Sequence, residues 1–262
     1  MSPAQAPSEA RLLGFLPRIR RARGYRLYAE NGLRLLDLWA DGGRTVLGRK
    51  PEGRGRLAKE IIDKGLVSGL PSPWEGRLLK ALGLLFPKVL SFALFSSETE
   101  ARAALEAEKL EFATERPFGE YLIGKRGEQD RFLAILPLEP DFSPGVIGFP
   151  NSSTPLLRAH GLPISPLKAA LAARSIPGYM RMRASSIESR WAKVDRHIVG
   201  LFSRSGPWLR PIYPETEHER VFREALDLGL LISPEYHTPS MIPADFDSGE
   251  IALLGKISRH VS

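Results

Sequence analysis

Phe92–Leu105 reads FALFSSETEARAAL. Its apolar run, Phe92–Phe95, has the character of a strand, and Ser96, Ser97 and Thr99 form a small polar cluster after it. Glu100–Leu110 then follows a helical pattern. The order is strand, tight turn, helix N-terminus. The free backbone N–H groups of a helix N-terminus suit an anion, and phosphate best. Ser97 or Thr99 can cap that helix and can also donate to a phosphate oxygen. The same letters serve equally as an ordinary helix cap.

N-terminal to this turn, the clearest local signal is GYRLYAENGLRLLDLWADGG. It predicts a strand over Tyr25–Tyr28, a turn at Asn31-Gly32 and a second strand over Leu33–Trp39. Asn-Gly supplies the positive φ angles of a tight hairpin turn. Arg56–Gly65 reads as a helix ending at Gly65, and Ser72–Phe86 as another, with Ser72 as cap and Pro73 in its first turn. Met1–Ser8 reads as a loose tail and Glu9–Phe15 as a short helix.

C-terminal to the turn, Glu120–Ile123 and Arg131–Leu138 are expected as strands. Pro137, Pro140, Pro144, Pro150 and Pro155 mark an irregular connection. Helices are expected over Ser165–Arg174, Ser185–Arg204, Glu217–Leu228 and Ser248–His260, with a strand over Leu230–Ser233.

The 262 residues, 43% of them apolar, suffice for one large domain or two small ones. There is no cysteine, which excludes disulfides, thiolate metal sites and a cysteine nucleophile and fits a cytoplasmic setting. MSPAQAPSEARLL lacks a signal-peptide pattern, and the most apolar stretch, Leu78–Phe95, carries Lys80, Pro87 and Lys88 and does not read as a membrane span. Net charge is +7, with Arg18, Arg20, Arg21, Arg23 and Arg26 crowded near the start. Such an arm can meet acidic lipid or nucleic acid, yet it has no interleaved aromatics and no nucleic-acid motif. It reads first as a solvated basic surface, with no specific nucleic-acid partner.

The turn Phe95, Ser96, Ser97, Glu98, Thr99, Glu100, Ala101 resembles the phosphate cup of class III aminotransferases, fold type I enzymes that use pyridoxal phosphate (PLP). Their pattern is roughly F-x-N-S-G-x-E-A. Gly24, Asn31-Gly32, Leu36-Asp37, Gly42-Gly43, Leu47-Gly48 and Pro51 stand in the order of that family's opening segment, with Arg49 where His is usual. Ser165–Arg174 resembles its N-P-L-x-x-A-A helix, and Leu226–Pro243 its closing strand and loop. The resemblance implies an α/β fold. Its small domain would be built from residues 24–91 and 176–262, after a basic arm at 1–23, with 92–175 as a shrunken remnant of the large cofactor domain.

One departure matters. Glu98 replaces the family's Gly, and a carboxylate there would repel a phosphate dianion. The resemblance also implies a D-E-x-Q-like strand end and an S-K-x-x-x-x-G-like lysine loop, and the sequence contains neither. Asp141 and Lys168, 27 positions apart, are the substitutes by spacing. Lys168, in PLKAALAA, also reads as a solvent-facing helix lysine, and Lys125, in IGKRGE, as an exposed turn residue. The five histidines are scattered without metal-ligand spacing. The leading expectation is therefore a catalytically inactive aminotransferase relative with a binding, structural or regulatory role. It would hold no cofactor and would partner a second copy or a chain of the same fold. The alternatives are a PLP enzyme with a rebuilt site and an anionic-surface or nucleic-acid binder using the N-terminal arginines.

Overall fold

The computed structural model describes residues 8–107, 109, 112–121, 131–150, 163–186 and 188–257. Lys125, His160 and His260 lie outside them. The described chain is mixed α/β, as expected, and divides into two compact units. One is built from both ends of the chain, residues 1–43, 48–50 and 185–262; the other comprises 44–47 and 51–184. The boundary thus falls near residue 50, and the helices Arg54–Asp63 and Pro73–Leu85 belong with the strand-turn-helix segment.

In the first unit, Arg26–Ala29 and Arg34–Asp37 pair antiparallel. Leu230–Leu231 pairs parallel to the second of them, so the hairpin and the closing strand share a sheet, as the family pattern implies. The turn differs from expectation. Only Gly32 takes a positive φ, +86°, and the Asn31 side chain instead accepts the Leu33 amide at 3.1 Å. The expected basic arm is an edge strand: Ile19–Arg23 pairs with Arg26–Ala29 and turns its arginines to solvent. Arg26 points elsewhere, to Glu250 at 2.7 Å and Asp245 at 3.2 Å.

Ser185–Arg204 is not one long helix. Val199 leaves helical geometry and Gly200 takes φ +80°, so the chain forms short turns to Ile198 and then a strand, Phe202–Ser205. That strand pairs with Trp208–Pro211, which pairs with Ser240–Met241. A core of Leu35, Leu36, Phe222, Leu226 and Leu230 joins the sheet of the hairpin and closing strand to the helix His218–Asp227.

In the second unit, five strands lie in the order Ser91–Phe95, Gly145–Phe149, Phe132–Ala134, Ala113–Arg116, Glu120–Tyr121. Gly145–Phe149 falls where prolines predicted an irregular connection, and all five of its residues are buried. The helix expected over Ser165–Arg174 runs from Pro166 to Ser185, through Pro177. A proline removes one backbone bond and crowds the preceding turn, but the helix buries Ala169, Ala172 and Ile176 in a cluster with Leu78, Leu82 and Phe132. Among the described residues no helix is long and apolar enough to cross a membrane.

Candidate functional site

Phe95 and Ala93, both buried, anchor the strand Ser91–Phe95, which pairs antiparallel with Gly145–Phe149 along its whole length. The chain then turns at Ser96 and Ser97 into the helix Glu98–Ala107. Gly145 makes the close approach possible. A Cβ there would sit 2.2 Å from the Ser97 carbonyl oxygen and 2.7 Å from the Ala101 Cβ. The strand-turn-helix geometry expected from the sequence is present.

Several of its donors, however, are in use. Ser97 Oγ accepts the Glu100 amide at 3.1 Å, and the Ser97 carbonyl accepts the Ala101 amide at 3.1 Å. Glu100 folds back over the turn. Its carboxylate accepts the Ser96 amide at 3.2 Å and the Ser96 hydroxyl at 2.5 Å. Ser97 and Glu100 thus form a near relative of the capping box. Thr99, the other candidate cap, is exposed in the first turn.

Glu98 does not face the turn as a bare charge. Both its oxygens accept from one Arg44 Nη, at 2.7 and 2.8 Å, with both side chains about one-fifth exposed. The expected repulsion between Glu98 and a phosphate is therefore largely cancelled by Arg44. The carboxylate in the way is that of Glu100.

Lys168 reaches this turn. Ser165 Oγ accepts its amide at 3.2 Å near the helix start, and its Nζ donates to the Ser96 carbonyl at 2.7 Å. It is not a purely solvent-facing helix lysine. Asp141 stays apart: it lies exposed in the short turn Pro140–Phe142 and makes no hydrogen bond or ion pair among the described residues. Its neighbour Glu139 pairs with Arg54. Sequence reasoning missed Arg44, Glu100 and Gly145. The spacing Ser97-x-x-Glu100 was a readable signal; the Arg44 contact, across 54 positions, had none.

The first unit holds a second unusual place. Ala40, Asp41, Gly42 and Gly43 have φ of 49°, 50°, 66° and 87°. Four successive left-handed residues, two of them not glycine, store strain of about 1–3 kcal/mol per non-glycine residue. Asp37 and Arg49 hold them. Asp37 accepts the Ala40 amide and Arg49 Nε, each at 2.8 Å, and Arg49 reaches Asp41 at 2.5 Å. Burial opposes the Arg49 charge, but Asp37 and Asp41 outweigh it and raise the guanidinium's pKa. Gly43 lies flat against buried Trp208; a Cβ would meet its ring at 2.2 Å. No group of three or more metal-ligating side chains occurs among the described residues.

Solved transaminases share this architecture. An omega-transaminase from Sphaerobacter thermophilus superposes with a TM-score of 0.65 over 98% of each chain, at 10% identity. The chain has the fold of the fold type I aminotransferases. In sequence, it is 28% identical to an uncharacterised protein of Borreliella burgdorferi over 92% of this chain and 89% of that one. It is 29% identical to glutamate-1-semialdehyde 2,1-aminomutase of Saccharolobus islandicus over 99 residues, 38% of this chain and 23% of the enzyme. No family model matches the sequence. The fold implies PLP, and the turn as arranged does not fit its phosphate. Glu100 occupies the Ser96 amide and hydroxyl, and Lys168 is engaged by a backbone carbonyl.

Proposed function

We propose that this chain is a shortened, non-catalytic relative of the class III aminotransferases that acts by binding rather than by turnover. The carrying observation is the self-satisfied turn, in which Ser97 and Glu100 accept the amides of Glu100 and Ser96, donors that a phosphate would use. The sequence also offers neither the lysine loop nor the ring-facing carboxylate of the family, and exposed Asp141 is bonded to neither Lys168 nor the turn. We infer further that the protein works in the cytoplasm without PLP, with a second copy or a chain of the same fold as partner. The test is a PLP titration of the purified full chain followed by visible absorption. The reading expects no saturable new band.

One observation favours a second reading. The Lys168 amine lies at the turn itself, 2.7 Å from the Ser96 carbonyl. If the Glu100 side chain swings out, the Ser96 amide and hydroxyl are released to a phosphate beside that amine. On this reading a saturable band appears with PLP and is lost in Lys168→Ala.

A further inference from the structure

We propose that a groove in the second unit, between the helices Arg54–Asp63, Pro73–Leu85 and Pro166–Ser185, binds a small aromatic anion. The cavity there measures about 520 Å³, within the usual range for small-molecule sites. It is separate from the turn at Ser96–Ser97.

Two features define the ligand. The first is charge. Arg56, Arg77, Lys80 and Arg174 line the groove, against the single carboxylate of Glu60, which is paired with Lys64 at 2.7 Å. None of the four cations has an ion-pair partner among the described residues. Elsewhere in this unit Arg44 and Arg54 are both paired, with Glu98 and Glu139. The backbone also makes room for one of the four. Gly53 takes φ +76°, and a Cβ there would crowd Arg174 Nη2 at 3.3 Å.

The second feature is the apolar lining. Leu57, Trp74 and Ala81 line the cavity, with Leu84, 59% exposed, at its edge. The Arg77 guanidinium stands 4.3 Å over the Trp74 ring. A cation held on an aromatic ring among apolar side chains suits a flat ring carrying a carboxylate, sulfonate or phosphate. A bare inorganic anion would leave the apolar surface wet, and a neutral ring would make no use of the four exposed cations.

The test uses the full chain and two dyes of similar shape, 1-anilinonaphthalene-8-sulfonate and its uncharged counterpart N-phenyl-1-naphthylamine, with inorganic sulfate as a third probe. The sulfonate should bind saturably and more tightly than the neutral dye, and sulfate should compete only weakly. Salt at about 1 M should weaken sulfonate binding, because the groove is open to solvent. Arg77→Gln/Lys80→Gln should raise the sulfonate Kd by about tenfold or more, since charge-assisted contacts are lost, without changing neutral-dye binding or circular dichroism. Arg174→Gln, on a different helix, is the second variant and should act in the same direction. Equal affinities for the two dyes, or unchanged sulfonate affinity in both variants, would overturn the proposal. So would loss of dye binding with rising protein concentration alongside a sedimentation shift, because a second copy would then be the occupant.

Discussion

Replacing Glu98 by Ala tests whether this side chain belongs to the fold or guards an anion site. In the structure it is a structural clasp: two oxygens on Arg44 at 2.7 and 2.8 Å, with exposures of 23% and 17%. Exposed pairs contribute about 0.2–1 kcal/mol, and breaking a buried pair costs about 3–5. At one-fifth exposure we take about 2 kcal/mol. An acidic residue in a first helical turn adds about 0.5 through the helix dipole. Alanine is a good helix former, so the backbone contributes little. The expected loss is about 2–2.5 kcal/mol, or a Tm lower by about 4–10 °C for a chain of this size. Urea unfolding with a double-mutant cycle against Arg44→Met isolates the pair, and coupling of about 1–2 kcal/mol is expected. Unfolding within about 0.5 kcal/mol of the native chain, with no coupling, would refute the clasp. PLP affinity should not rise in Glu98→Ala, because Glu100 still covers the Ser96 donors.

Gly43→Ala should destabilise by about 3 kcal/mol in urea, combining a left-handed φ with a 2.2 Å clash against Trp208. Asp141→Ala, at an exposed turn, should change stability by less than about 0.5 kcal/mol. His218 gives a pH signature. Burial lowers its pKa, against hydrogen bonding to the Ser233 carbonyl, which favours the charged form. The unfolded chain therefore binds the proton first. The His218 contribution is complete above about pH 6.5 and is lost as pH falls through the lower folded value. Stability measured from pH 8 to pH 5 should fall less steeply in His218→Gln than in the native protein.

Local chemistry explains which elements were legible. Asn31-Gly32 between two apolar runs located the hairpin, and Ser72-Pro73 located a helix start whose Ser72 side chain does accept the Trp74 amide. The turn type was less legible, because Asn31 could satisfy the turn through its side chain rather than its φ. The helix expected to end at Arg174 continues through Pro177 to Ser185, because its buried face outweighs the cost of the proline. Gly145–Phe149 was hidden among prolines that flank the strand without entering it. At the candidate site, Ser97 as cap could be read from its neighbours. The contacts that decide its chemistry, Arg44 with Glu98 and Lys168 with Ser96, span 54 and 72 positions and leave no local pattern.

Borohydride reduction of the full chain with excess PLP, followed by peptide mass mapping, tests the central claim most directly. If Glu100 and Ser97 keep the turn closed to phosphate and Lys168 stays on the Ser96 carbonyl, labelling will be sparse and spread over exposed lysines. It will also be the same in Lys168→Ala. A single stoichiometric adduct at Lys168, abolished by that substitution, would contradict the account and establish a PLP site at this turn.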